Sequence, residues 1–317
     1  MNGTLSSEAT ELGAIVAERI AEAGGYEFLR AVVDDPARRV EAGEMLGELG
    51  LWELGSLDGA LELEIAAAAS RAAGTFSFPY PVVERLAAGS DDAAVSMVAR
   101  RGPRVAMHLD LPLAWRGIDL TGAEYRVVAV TSLLGTKAAP FGVTLAADVT
   151  GNRDVRAAAV TTTLHSWWLL GTLDRATEDT VRYTHERMQF GRTLDRFQSV
   201  AFRLADMTLA VRSLEELGKY TLWSIARGDD EGAGLVDALA LRVAALEAAD
   251  IVIRGAHQLH GAMGFTDEVP VSWMSRMSQG VRRLPEDRTR TLGMLTGLAG
   301  TDGLGELGRP ERVVESI

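Results

Sequence analysis

Two clusters of residues have the types and the spacing to do chemistry. The first is Tyr183, Arg187, Gln189, Phe190 and Gly191, followed closely by Phe197 and Gln198. A cation beside a turn, two side-chain amides and the start of a fresh helix can together grip a diphosphate. The guanidinium makes charge-assisted hydrogen bonds, and the helix start offers unpaired N–H groups. The same residues also suit a plain corner between two helices, with arginines near a C-terminus where cations are favoured anyway. Gly191 is the expected cap of the first helix and Asp195 of the next. The second cluster, about 70 residues further on, holds His257, Gln258, His260, Gly261 and Gly264. Its glycines let a ligand or another backbone come close, and Gln258 can bond an amide or a purine edge. His257 and His260 lack the accompanying HExxH acid, so no metal site is expected, and one is expected to pack while the other is solvated.

Several chemistries are excluded. There is no G-x-S-x-G nucleophile elbow, no G-x-G-x-x-G after a strand and no G-x-x-x-x-G-K-[ST]. The chain contains no cysteine, which removes thiolate metal sites, disulfides and cysteine nucleophiles. Its formal net charge of -12 does not match a phosphate backbone, so nucleic acid is not an expected partner. No apolar run reaches membrane-spanning length, and the first residues lack the basic-then-apolar order of a signal peptide. A cytoplasmic protein with no membrane partner is expected.

The elements that must position these clusters are mostly helical. Of the 317 residues, 47% are hydrophobic and 6% aromatic. Helices are expected over 5–101, with Ser6 as a first cap, breaks at Gly24-Gly25, Pro36 and Gly50, an elbow at Pro79-Tyr80-Pro81, and short helices over 82–88 and 91–100. Residues 103–150 alternate or are β-branched between turns at Arg116-Gly117, Thr121-Gly122, Gly135 and Ala139-Pro140, so a small antiparallel sheet is expected there. Beyond it, 160–189, 196–227 and 232–260 read as three long helices with stripes such as Met207, Val211, Leu214 and Leu235, Leu239, Leu246, joined at Gly191 and at Gly228-Asp229-Asp230. Trp167-Trp168 is expected in the core or at an interface, and 299–317 as a mobile tail. The fold class is therefore mainly α with a small central antiparallel β domain. The division is an N-terminal helical domain over 1–101, a reduced β domain over 102–150 and a C-terminal four-helix-type bundle over 151–317.

The patterns Tyr-x-x-x-Arg-x-Gln-Phe-Gly with Phe-Gln-x-Val, and Gln-x-x-Gly-x-x-Gly-Phe-Thr-x-Glu-x-Pro, resemble the C-terminal domain of acyl-CoA dehydrogenases. The likeness is strong over about 170–276 and architectural elsewhere. It implies FAD as cofactor, with Arg187, Gln189, Phe190 and Gln198, then Gln258 and Gly261, holding its diphosphate and adenosine across a subunit interface. Ala262 stands where the family commonly has a second glycine. The resemblance also implies an acyl-CoA substrate and an electron-transfer flavoprotein-type acceptor.

Larger departures accompany it. No Thr-Glu-Pro…Gly-Ser-Asp segment occurs between 90 and 150, and Thr161 to Trp168, where some members carry the catalytic glutamate, holds no carboxylate. In other members the base follows the second motif, and counting from Gly264 its slot falls on Pro285, with Glu286 one residue late. No catalytic residue is therefore assigned to this chain. That pattern resembles the short degenerate subunit of heteromeric actinobacterial acyl-CoA dehydrogenases of the steroid side-chain type. It implies a longer partner subunit that supplies the base, in an α2β2 assembly acting on a bulky acyl group. The alternatives are a self-sufficient homo-oligomer using Glu286 or Glu268, and a flavin-free helical interaction protein of the same fold.

Overall fold

The structure is a computed structural model that describes residues 4–302 apart from 56, 90–91, 102–103, 134–139 and 229–230. The chain begins with α1 (Ser7–Glu22), whose N-terminus is capped as expected: the Ser6 hydroxyl accepts from the Ala9 N–H at 3.3 Å. Val16 and Ile20 turn inward from it. α2 (Tyr26–Asp34) and α3 (Arg39–Gly47) follow, then α4 (Ala60–Thr75) and, directly after Pro81, α5 (Val82–Ala88).

The alanines of α4 have a packing purpose. Helix α4 lies against α6 (Val155–Glu186) so closely that a Cβ on Gly74 would fall on the Trp168 carbonyl, and one on Gly171 would fall on the Arg71 carbonyl. Only glycine fits at either place, and the Thr172 hydroxyl uses the approach to donate to the Gly74 carbonyl at 2.8 Å.

Between the helical regions lies a five-stranded sheet: β1 (Ala93–Met97), β2 (Val105–Met107), β3 (Ala114–Ile118), β4 (Ala123–Leu133) and β5 (Gly142–Arg153), in the order β1-β3-β4-β5-β2. The pairs β3–β4, β4–β5 and β2–β5 are antiparallel, while β1 joins β3 in parallel. Strand β1 corrects the sequence reading, which has a helix over 91–100. Alanine favours helix intrinsically, but Ala94 to Met97 are buried on both sides here, and tertiary pairing overrides the propensity. Arg116-Gly117, read as a turn, lies inside β3, with Gly117 pressed against Val98 and Tyr125. The expected turn residues Gly135 and Ala139 lie outside the described residues. A small core of Ala106, Leu109, Tyr125, Val143, Leu145 and Ala147 fills the inner face.

The long helices appear where the stripes place them. α6 has 32 residues, and α7 (Gln198–Arg227) and α8 (Glu231–His260) have 30 each. Met207, Val211, Leu214, Leu235, Leu239 and Leu246 are all buried. Trp167 and Trp168 are 1% and 7% exposed, which places them in this chain's own core. Buried hydroxyls on α6, such as Thr161, Ser166, Thr177 and Thr180, bond the carbonyl four residues back, so a threonine-rich helix can be buried. The chain continues through α9 (Pro270–Met277) and α10 (Gln279–Arg283) to α11 (Arg288–Asp302), which reaches into the segment read as a tail; 303–317 lie outside the described residues.

Candidate functional site

The first cluster sits on a hairpin. Helix α6 ends with Arg187 as its C-cap, earlier than the expected Gly191. Strands β6 (Met188–Gln189) and β7 (Arg192–Thr193) then pair across Phe190 and Gly191, with φ of 51° and 78°. Two successive positive φ values are what a two-residue I′ hairpin demands, and glycine supplies the second without strain. The first falls on Phe190, whose ring is held 91% exposed. Phe197 lies edge-on to it at 6.3 Å, and the Arg192 guanidinium lies over the Phe197 ring at 4.0 Å. Asp195 does not cap the next helix. Its carboxylate lies 3.0 Å from His185 Nδ1, and α7 starts after Phe197 with no side-chain cap. The helix start therefore has unanswered N–H groups. Arg187, Gln189 and Gln198 are exposed beside it.

The second cluster ends α8. Gln258 is exposed, Gly261 turns the chain with φ of 59°, and no atom lies within 4 Å of where a Gly261 side chain would begin. The two clusters meet through Tyr183 and His260, whose rings stack with centroids 4.4 Å apart. His260 is buried and its Nδ1 donates to the Ala256 carbonyl at 2.9 Å. His257 is half-buried and stacks on Phe265 at 4.6 Å, so both histidines pack and neither is simply solvated, as one was expected to be. Burial lowers both imidazoles below their usual range. Among the described residues no group of three or more His, Asp or Glu is arranged to hold a metal.

A second region, missed by sequence reading, lies where α5, the sheet, α6 and α10 converge. A cavity of roughly 60 Å³ is walled by Phe78, Tyr80, Met97, Trp168 and Met277 and carries Glu84, His108 and His165. Its one lining carboxylate, Glu84, is tied to His165 Nε2 at 3.0 Å. Burial pushes Glu84 up, but His165, the bond between them and His108 hold it below the usual carboxylate range. Glu286 is elsewhere: its carboxylate accepts from Arg290 at 2.9 Å, and it lines a different pocket. The segment before it is fixed by buried Arg242, which donates to the carbonyls of Val281, Leu284 and Glu286 at 3.2, 2.8 and 2.9 Å. Burial lowers this guanidinium to about 10. A charged residue set between Leu239 and Leu246 on the stripe of α8 was the available signal for that clamp. No comparable signal marks Glu84.

Residues 156–284 match the sequence profile of the acyl-CoA dehydrogenase C-terminal domain. That match covers less than half of the chain, and over it the chain is similar to acyl-CoA dehydrogenases. The short-chain-specific acyl-CoA dehydrogenase of Megasphaera elsdenii is 32% identical over 129 residues, which is 40% of this chain and 32% of that protein. The matched stretch thus spans about a third of that acyl-CoA dehydrogenase. Among solved structures, the ChsE4-ChsE5 complex from Mycobacterium tuberculosis aligns with a TM-score of 0.75 at 18% identity, covering 95% of this chain and 99% of that one. The Tcur3481-Tcur3483 steroid ACAD aligns with a TM-score of 0.74 at 18% identity, over 94% and 99%. At such identity the likeness is one of fold: mainly helical with a small, largely antiparallel sheet, as the sequence implies.

Proposed function

We propose that this chain is a subunit of a heteromeric FAD-dependent acyl-CoA dehydrogenase that introduces an α,β double bond into an acyl-CoA thioester. It would contribute the diphosphate and adenosine part of the FAD site, with a longer subunit supplying the base. The observation that carries this reading is a separation. The residues suited to the cofactor are exposed at one end of the bundle, while the pocket between α5, α6 and the sheet has no free carboxylate, its Glu84 being tied to His165.

The exposed end fits the cofactor. Arg187 is a cation free of intramolecular partners among the described residues, α7 begins with uncapped N–H groups, and Gly261 leaves open space beside Gln258. In this reading Arg187 pairs with the diphosphate, Gln189 and Gln198 bond its oxygens, Phe190 covers an aromatic ring, and Gln258 and Gly261 take the close approach. Bound FAD would supply the hydride acceptor for the β-hydrogen. The base must reach the substrate α-proton, and Glu286, bonded to Arg290, does not line the interior cavity. A bulky, steroid-type acyl group and a cytoplasmic α2β2 assembly with an electron-transfer flavoprotein-type acceptor belong to the same proposal. The likeness in fold to a two-protein complex and to a steroid ACAD supports it.

The test is expression of this chain alone and together with a longer acyl-CoA dehydrogenase subunit from the same source. The proposal expects no flavin absorption from the chain alone and a yellow complex with two copies of each subunit. A stable yellow homo-oligomer with turnover would contradict it.

A further inference from the structure

A cationic pocket lies away from both regions described above. It is a cleft of about 340 Å³ between the end of β1, the β3–β4 turn and α11, lined by Arg100, Arg101 and Arg290 together with Leu120 and Met294. Its two carboxylates are already engaged. Asp119, 2% exposed, accepts from the Thr121 and Ala123 N–H groups, the Thr121 hydroxyl and Tyr125, and Glu286 accepts from Arg290. Among the described residues no ion pair or hydrogen bond engages the guanidinium of Arg100 or Arg101. Three guanidiniums against two satisfied carboxylates leave a local excess of positive charge in a chain whose net charge is -12. The α11 wall includes Gly293, where an added Cβ would meet nothing within 4 Å. A ligand body can therefore lie directly against the helix, beside Met294 and Leu120.

We propose that this cleft binds a small organic anion, with a carboxylate or phosphate held by Arg100, Arg101 and Arg290 and an apolar body lying along Gly293, Leu120 and Met294. Guanidiniums match both headgroups in a forked geometry, and the apolar wall rejects a free inorganic ion in favour of one with a hydrocarbon part. The cleft is built from this chain alone and does not involve Arg187, Gly261 or the Glu84 cavity.

The test is calorimetric titration of the full chain with octanoate, octyl phosphate and octanol at low salt. At least one of the two anions should bind, and octanol should not. Binding of octanoate alone assigns the site to carboxylates, and binding of octyl phosphate alone assigns it to phosphate esters; either upholds the proposal. The double variant Arg100→Gln/Arg101→Gln should weaken binding at least tenfold, since each lost charge-assisted bond counts that much. Gly293→Leu should abolish it by filling the cleft, with Tm unchanged or raised, because leucine favours helix and its Cβ meets no atom. Failure of both anions to bind, equal binding of octanol, or undiminished binding by the Gly293→Leu variant would each overturn the proposal.

Discussion

The phenol ring of Tyr183, near the end of α6, stacks at 20° on the imidazole of His260, the last residue of α8, and this contact joins the two motifs. An aromatic pair is worth about 0.5–1.5 kcal/mol beyond its burial. Tyr183→Leu, His260→Leu and the double variant, compared by urea denaturation, should give a coupling energy of that order. Additive effects would mean that the rings touch without contributing, and that the motifs are aligned by backbone packing alone.

Arg242 and Glu286 should behave oppositely on substitution. Arg242→Met removes the donor to three carbonyls and leaves them buried, a change expected to cost about 3–5 kcal/mol of stability. Glu286→Gln keeps the shape and removes a charge that pairs with exposed Arg290 and favours the buried Arg242 cation, so it should cost more than a surface pair but less than Arg242→Met. In the reconstituted complex the second variant should retain turnover, measured with a dye acceptor. Removal of a true general base would lower it by about a hundredfold or more.

Acidification should loosen the junction around the small cavity. Burial drives His108 down to about 4, against the pull of Glu84, so the unfolded chain binds its proton first as pH falls from 6.5. Glu84, also held low, is stabilised by His165 only while ionised, and protonation at lower pH removes that contribution. Both signs agree: stability is full above about pH 6.5 and falls toward pH 4. For His108 the loss is on the order of 3 kcal/mol. Thermal denaturation between pH 7 and 4 should show a shallower decline in His108→Gln than in the parent. Parallel curves would remove His108 from the account.

The long helices were legible because their stripes repeat over 30 residues and end at recognisable breaks. The cofactor-type residues were legible because side-chain chemistry and order carry them. What escaped was decided by contacts distant in sequence. Strand β1 forms because β3, about twenty residues later, pairs with it, and no local pattern in Ala93–Met97 announces that partner. The hairpin after Arg187 hides behind a sequence that suits a plain helix cap. Its evidence is a phenylalanine with positive φ, which only the folded turn reveals. The Glu84–His165 pair bridges 81 positions between two helices, and nothing in either segment alone points to the other.

The central claim is that this chain grips FAD through Arg187 without supplying the base. The most direct measurement is FAD titration of the apo-complex carrying Arg187→Ala, with the fold checked by circular dichroism. Because Arg187 is exposed at a helix end, the fold and the assembly should survive. Loss of a charge-assisted bond of about 1.5–3 kcal/mol should weaken FAD roughly ten- to more than hundredfold. Unchanged FAD affinity in an intact complex would contradict the account.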